Sequence, residues 1–86
     1  MGRALRIIDD RAAPSGDRTE ALARFRVRRS AAREASVNYW VFEDAAQPGH
    51  WVEFVEARDE VTLRRALEVL HLATDQDSIL SEVELD

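Results

Sequence analysis

The stretch Ser36–Asp59, SVNYWVFEDAAQPGHWVEFVEARD, decides how this chain folds. Pro48-Gly49 suits the central positions of a type II turn within a longer loop. The segments on either side, 36–43 and 50–57, are rich in the β-branched and aromatic residues of strands. A hairpin with one wet face alternates apolar and polar residues. This one does not. Successive side chains point to opposite faces of a strand, so Val37, Tyr39 and Val41 share one face while Trp40 and Phe42 share the other. In the second strand Val52 and Phe54 oppose Trp51, Val55 and Ala57. Both faces of the hairpin therefore need cover.

Upstream, Arg3–Asp9 (RALRIID) has the alternation of a short strand, and RAAPSGD breaks it with Pro14 and Gly16. Residues 17–35 admit two readings. As a helix, Asp17 and Glu20 resemble a capping box, Ala is frequent, and Ala21, Leu22, Phe25 and Ala32 form an apolar stripe. Arg29 falls within that stripe, while Arg24, Arg26, Arg28 and Arg33 point around the helix. As a strand, ALARFRVR alternates Ala23, Phe25 and Val27 with Arg24, Arg26 and Arg28. The cap, the Ala content and the length favour the helix. Downstream, Asp59 caps a second helix from Glu60 to Leu72, with Leu63, Ala66, Leu67 and Leu70 as its stripe. TDQDS is a polar loop, and ILSEVEL reads as a last strand with Ile79, Val83 and Leu85 on one face.

The order is β-α-β-β-α-β, the split βαβ or ferredoxin-like α+β arrangement, in one domain spanning residues 1–86. Two helices cover one face of a four-stranded antiparallel sheet. The other face is apolar and left bare, which is the mark of an interaction surface. The expected cover is a second copy of the chain, packed sheet to sheet.

Bulk properties bound the rest. With 86 residues and 45% hydrophobic content the chain suits a small globular domain, one that buries roughly 60–65% of its unfolded surface. The absence of Cys excludes disulfides, thiolate chemistry and Cys-based zinc sites. MGRALRIIDD lacks the apolar run of a signal peptide, and no stretch approaches the ~18 apolar residues of a membrane span. A cytoplasmic location with no membrane partner is expected. The net charge of −5 argues against a nucleic-acid surface. RNA-binding domains with this element order carry aromatics on the outer face of their first and third strands. Here ALRIID has none, and GHWVEFVEA carries two acids that repel phosphate.

The block from Tyr39 to Asp59, "YWVFED…PGHWVEFVEARD", with a helix after the last Asp, resembles the dimeric α+β barrel superfamily, in particular antibiotic-biosynthesis-monooxygenase-like domains. The block covers about a quarter of the chain. The resemblance implies a homodimer whose two sheets form a barrel, with a cavity between each sheet and its helices. The superfamily includes cofactor-free oxygenases, haem-degrading enzymes, isomerases and members with no known activity. Haem-degrading members use an Asn, a Trp and a haem-ligating His. Asn38, Trp40, Trp51, His50 and His71 do not match that motif, so no cofactor is expected.

Candidate residues follow from type and facing. His50, at the start of the third strand on the side of Val52 and Phe54, is a candidate proton shuttle; otherwise it is a turn-flanking side chain. His71, near the end of the second helix, either lines a cavity or meets the last carbonyls. Two histidines without a carboxylate at ligand spacing make no metal site. Asn38, Trp40 and Phe42 share a face and can orient an aromatic ligand; the alternative is that Trp40 and Phe42 fill the core while Tyr39 packs at the dimer interface. Glu53 and Glu56, on opposite strand faces, are either paired with Arg or, for one of them, a general base. Arg29 pairs with a sheet Glu or anchors an anionic ligand. These choices yield two expectations. One is a homodimer binding a small apolar or aromatic molecule, with Asn38 and His50 catalytic in a cofactor-independent monooxygenase, and Arg29, Trp40, Phe42, Glu53 and His71 contacting the ligand. The other is a non-enzymatic homodimeric structural or interaction domain. Convergence of Asn38, Glu53 and Arg29 on a cavity favours the first; mutual satisfaction of these groups favours the second.

Overall fold

The computed structural model describes residues 2–10, 18–72 and 79–85. Six elements follow in order: β1 (Ala4–Asp10), α1 (Arg18–Glu34), β2 (Asn38–Glu43), β3 (Trp51–Ala57), α2 (Glu60–Val69) and β4 (Ile79–Ser81). The strands form one antiparallel sheet in the order β2-β3-β1-β4. This is an α+β fold compatible with a ferredoxin-like domain. The proposed cap at Asp17 and the loops at 11–17 and 74–78 lie outside the described residues.

The ambiguous segment is helical. α1 buries Ala21, Phe25 and Ala32 and half-buries Arg28, a spacing of four, three and four residues that lies on one side of a 3.6-residue helix. The arginine of the stripe is therefore Arg28, and Arg29 is exposed. Counting Leu22 as central displaces the stripe by one residue; Leu22 sits on its flank. Val27, which gave the strand reading its third apolar position, is 70% exposed.

Both helices end in the same way. The Val37 N–H donates to Ala32 O and the Ser36 N–H to Arg33 O; in α2, Leu72 donates to Leu67 and His71 to Glu68. These are Schellman motifs, with Ser36 (φ 61°) and His71 (φ 59°) in the left-handed region. The second helix thus stops at Val69 rather than running on to Leu72, and Leu72 folds back onto the core. The left-handed region costs a residue with a Cβ about 1 kcal/mol, so Ser36→Gly is expected to stabilise the domain by roughly 0.5–1 kcal/mol. A urea midpoint that falls in this variant would contradict that expectation. At its other end α2 is capped by Asp59, whose carboxylate accepts from the Thr62 N–H at 2.7 Å.

Helices and sheet meet along the odd positions of β2 and β3 and the even positions of β1. Leu63, Leu67 and Val55 have no exposure and gather Ala4, Ala32, Val37, Ala57, Ala66 and Leu70 around them. Each fully buried Leu is worth about 1.5–3 kcal/mol of transfer energy. A second cluster joins Ala21, Phe25 and Trp51, with the two rings edge to face at 5.4 Å. Arg18 stacks on Trp51 at 5.0 Å while pairing with Glu43.

The other face of the sheet has no cover among the described residues. The strand register lays it out in rows: Leu5–Glu56–Asn38, then Ile7–Phe54–Trp40, then Asp9–Val52–Phe42, with Leu80 beside Leu5. Trp40 is 46% and Phe42 58% exposed, and Ile7 and Leu80 are exposed as well. Tyr39 packs on the helix side instead, so the two aromatic positions are the reverse of a core built on Trp40 and Phe42. The last strand is also shorter than ILSEVEL. Pairing stops at Ser81, Arg3 and Glu82 close it through backbone and carboxylate bonds, and Val83 and Leu85 are exposed.

Candidate functional site

Strand parity places Glu53 between Trp51 and Val55, under the helices, where it is 1% exposed. A carboxylate there is costly unless paired. Arg28 reaches it from α1 at 2.6 Å, and the Tyr39 hydroxyl donates to the same oxygen. Burial pushes the Tyr39 phenol well above its usual range, and the Glu53 hydrogen bond and charge push the same way. Tyr39 therefore stays a donor. Burial works against the Arg28 charge, but the hydrogen bond and charge of Glu53 outweigh it and raise the guanidinium further. The cluster joins a buried carboxylate to a half-buried guanidinium and a phenol donor, between helix and sheet.

His50 is set by the turn. The His50 N–H donates to Gln47 O across Pro48-Gly49, with Gly49 at φ 91°, the geometry of a type II turn. Asp44 holds the loop from inside by accepting from the Ala46 N–H at 2.8 Å. The imidazole then lies between two carboxylates: Nε2 is 2.5 Å from Asp9 and Nδ1 3.2 Å from Asp44. Hydrogen bonding to Asp9 is the main cause that raises the His50 pKa, opposed by some desolvation and reinforced by Asp44. Both ring nitrogens are occupied, so the ring clasps β1, the turn and β3 together, most firmly when protonated.

A group with a raised folded pKa stabilises fully below its unfolded pKa, about 6.5 for His, and loses that contribution as pH climbs through the folded value. The Asp44 carboxyl is held low, first by the Ala46 N–H, so its own contribution is lost only in acid. The clasp is thus expected to loosen on the alkaline side. An NMR titration should place the His50 midpoint above 6.5, and His50→Gln should remove that part of the decline in thermal stability above neutral pH. A midpoint at or below 6.5 would contradict the clasp.

Asn38, at the opposite end of the hairpin, donates to Glu56 at 2.8 Å. Glu56 also pairs with Arg3, which binds Glu82 bidentately; the Arg3 hydrogen bond holds the Glu82 carboxyl down to about 2. The register puts Asn38 opposite Glu56 and Glu43 opposite Trp51, so Asn38 and His50 are separated by the length of the hairpin, roughly 20 Å at about 3.3 Å per residue. The structure does not bring them together. Arg29 and Trp40 do meet, in an open groove of about 390 Å³ lined also by Leu22, Phe25, Arg26, Tyr39 and Val41. Phe42 lies farther along the open face, edge to face with Phe54 at 5.4 Å. His71 caps the end of α2, exposed.

Arg28, Tyr39, Asp9, Asp44 and Arg3 complete these clusters and were not singled out as site residues from sequence. A signal existed for two of them. Arg28 is seven residues from Ala21 on the stripe, and Asp44 faces His50 across the turn. Among the described residues no group of three His, Cys, Asp or Glu side chains is arranged to hold a metal, and no helix is long and apolar enough to cross a membrane. The chain matches no protein-family profile, no curated protein and no solved structure.

Proposed function

We propose that this chain is a homodimeric interaction domain of the ferredoxin-like, dimeric α+β barrel type, in which two copies pack their open sheet faces together. The observation that carries the reading is the row Ile7–Phe54–Trp40 at the centre of that face. Around it the charges are already paired: Glu56 with Arg3 and Asn38, Asp9 with His50. An apolar centre with a satisfied polar rim is the anatomy of a protein interface. A face without unpaired charge meets its own copy without like-charge repulsion, which favours self-pairing. The polar groups of the catalytic alternative are engaged by neighbours: Asn38 by Glu56, both His50 nitrogens by aspartates, Glu53 by Arg28 and Tyr39. A cofactor-free oxygenase acting on an aromatic compound needs such groups free and convergent. That weighs the choice toward interaction.

Sedimentation velocity over 1–100 μM, run beside native mass spectrometry, tests the reading. A dimer of bare chain mass supports it. A monomer throughout sinks it. A dimer carrying extra mass that departs on denaturation turns the reading toward a small-molecule site.

A further inference from the structure

The outward side of α1 is basic in an otherwise acidic chain. The helix carries six arginines and two glutamates, while the net charge of the chain is −5. Arginines elsewhere among the described residues mostly meet carboxylates: Arg3 on Glu56 and Glu82, Arg58 on Asp59, Arg64 on Glu60. In α1 itself Arg18 holds Glu43 and Arg28 holds Glu53. Arg26, Arg29 and Arg33 are different. All three are exposed, and none has a carboxylate partner among the described residues. At 100° per residue they fall within about 60° of one another, with Leu22 in the same stripe. Like charges three and four residues apart repel along a helix, so the chain keeps an unfavourable arrangement that an acidic partner relieves.

The spacing says what shape that partner has. Leu22, Arg26, Arg29 and Arg33 follow one another at four, three and four residues, the interval at which side chains meet a second helix. Ala23 and Ser30, small and exposed, flank the stripe on one side and leave room for a close approach. On the other side lies the open groove, lined there by Phe25 and Val41. From Arg26 to Arg33 the stripe is about 10 Å long at 1.5 Å per residue. A short acidic helix fits within that length. A nucleic acid or an anionic membrane overhangs it onto a surface of net negative charge, where repulsion opposes contact. A second copy does not fit either. The acids of its α2 form no matching stripe, because Glu60 is tied to Arg64 and leaves Glu68 as the other.

We infer that the outward face of α1 docks an amphipathic acidic helix of another protein, its carboxylates pairing with Arg26, Arg29 and Arg33 and an apolar side chain entering the groove beside Leu22. Arginine forks suit this role because each can take a carboxylate with two parallel bonds. Apolar anchors seated in a groove are how such surfaces hold amphipathic helices, and the charges steer the encounter and select the partner. The site lies on the helix side of the sheet, away from the face proposed to pair the copies. A dimer therefore displays two such sites, and a monomer one.

Fluorescence anisotropy with labelled helical peptides tests this. One probe repeats glutamate at intervals of three and four residues beside a leucine stripe; the control has glutamine at the same positions. The glutamate peptide is expected to bind the wild-type domain, more weakly as salt rises, and the glutamine peptide to bind about tenfold less tightly or worse. R26Q/R29Q/R33Q should weaken the glutamate peptide by about tenfold or more, with an unchanged far-UV spectrum. Arg65→Gln, on the exposed side of α2, should leave its binding as it was. Equal binding of the two peptides, no binding of either, or undiminished binding by the triple variant overturns the docking site. A single-stranded oligonucleotide or phosphatidylserine vesicles that bind more tightly than the glutamate peptide, and lose that binding in the triple variant, overturn the acidic helix in favour of a phosphate-bearing partner.

Discussion

Replacing Arg28 by Met is expected to cost about 3 kcal/mol, because removing one partner strands the other charge in the interior. Glu53 is the stranded group. It is 1% exposed and keeps only the Tyr39 hydroxyl as donor. For a domain of this size that loss lowers the thermal midpoint by roughly 12–24 °C. The reverse change is milder. Glu53→Leu leaves Arg28, whose side chain retains 24% exposure and can turn its charge to water, together with a Tyr39 hydroxyl lacking its acceptor. A cost of about 1–2 kcal/mol is expected there. The R28M/E53L double variant should recover part of the R28M loss, since no charge remains under the helices. Urea denaturation of the three variants checks the ordering. An R28M protein within about 1 kcal/mol of the parent would mean that the ion pair contributes little and that helix–sheet packing alone fixes α1.

Phe54→Glu is expected to abolish self-association at micromolar concentration, raising the dimer dissociation constant by about a thousandfold or more. Phe54 lies in the central row of the open face, with Ile7 and Trp40 beside it and Phe42 packed edge to face. On the pairing proposed here, a carboxylate at that point is buried without a partner, at a cost of several kcal/mol. A twofold axis near the centre also sets it close to its own copy. The monomer should survive. Phe54 faces away from the helices, and the loss of one edge-to-face contact amounts to about 1 kcal/mol. Sedimentation velocity gives the association state and far-UV circular dichroism confirms the fold. An F54E protein that associates like the parent would remove the sheet face from consideration.

Much of the layout was legible in the sequence, and what was missed has physical reasons. The two faces of β2 and β3 follow from parity, and the structure agrees residue by residue from Asn38 to Glu43 and from Trp51 to Ala57. Pro48-Gly49 and Asp59 act locally and were readable for that reason. α1 was harder because an arginine-rich helix with small buried residues mimics strand alternation. Its burying face is defined by Ala21, Phe25 and Ala32, and small side chains define a direction poorly, so the stripe slipped from Arg28 to Arg29. Ser36 and His71 carry left-handed backbone with no glycine to announce it. The pairs Asp9–His50 and Arg3–Glu56 depend on the register between β1 and β3, which parity alone does not set. Strand length at the C-terminal end was overread since Val83 and Leu85 keep the alternation after pairing has stopped. As for the site, Glu53 and Glu56 were read as paired with Arg or, for one of them, as a general base; the structure pairs both with arginines, and which arginine serves each was hidden in tertiary geometry.

The placement of β1 between β3 and β4 has a consequence in time. The hairpin and its buried acid are local, with Tyr39 and Glu53 only 14 positions apart. Arg3, by contrast, must find Glu56 at 53 positions and Glu82 at 79. Closing loops of that length is slow relative to local pairing. During synthesis β1 is the first strand to leave the ribosome and the last to acquire both neighbours. ALRIID therefore waits unpaired until β3 emerges, and keeps one edge open until β4 does. Folding of this chain is governed by how that interval is survived, and a nascent chain arrested before Ile79 is the species most exposed to aggregation or to capture by a chaperone.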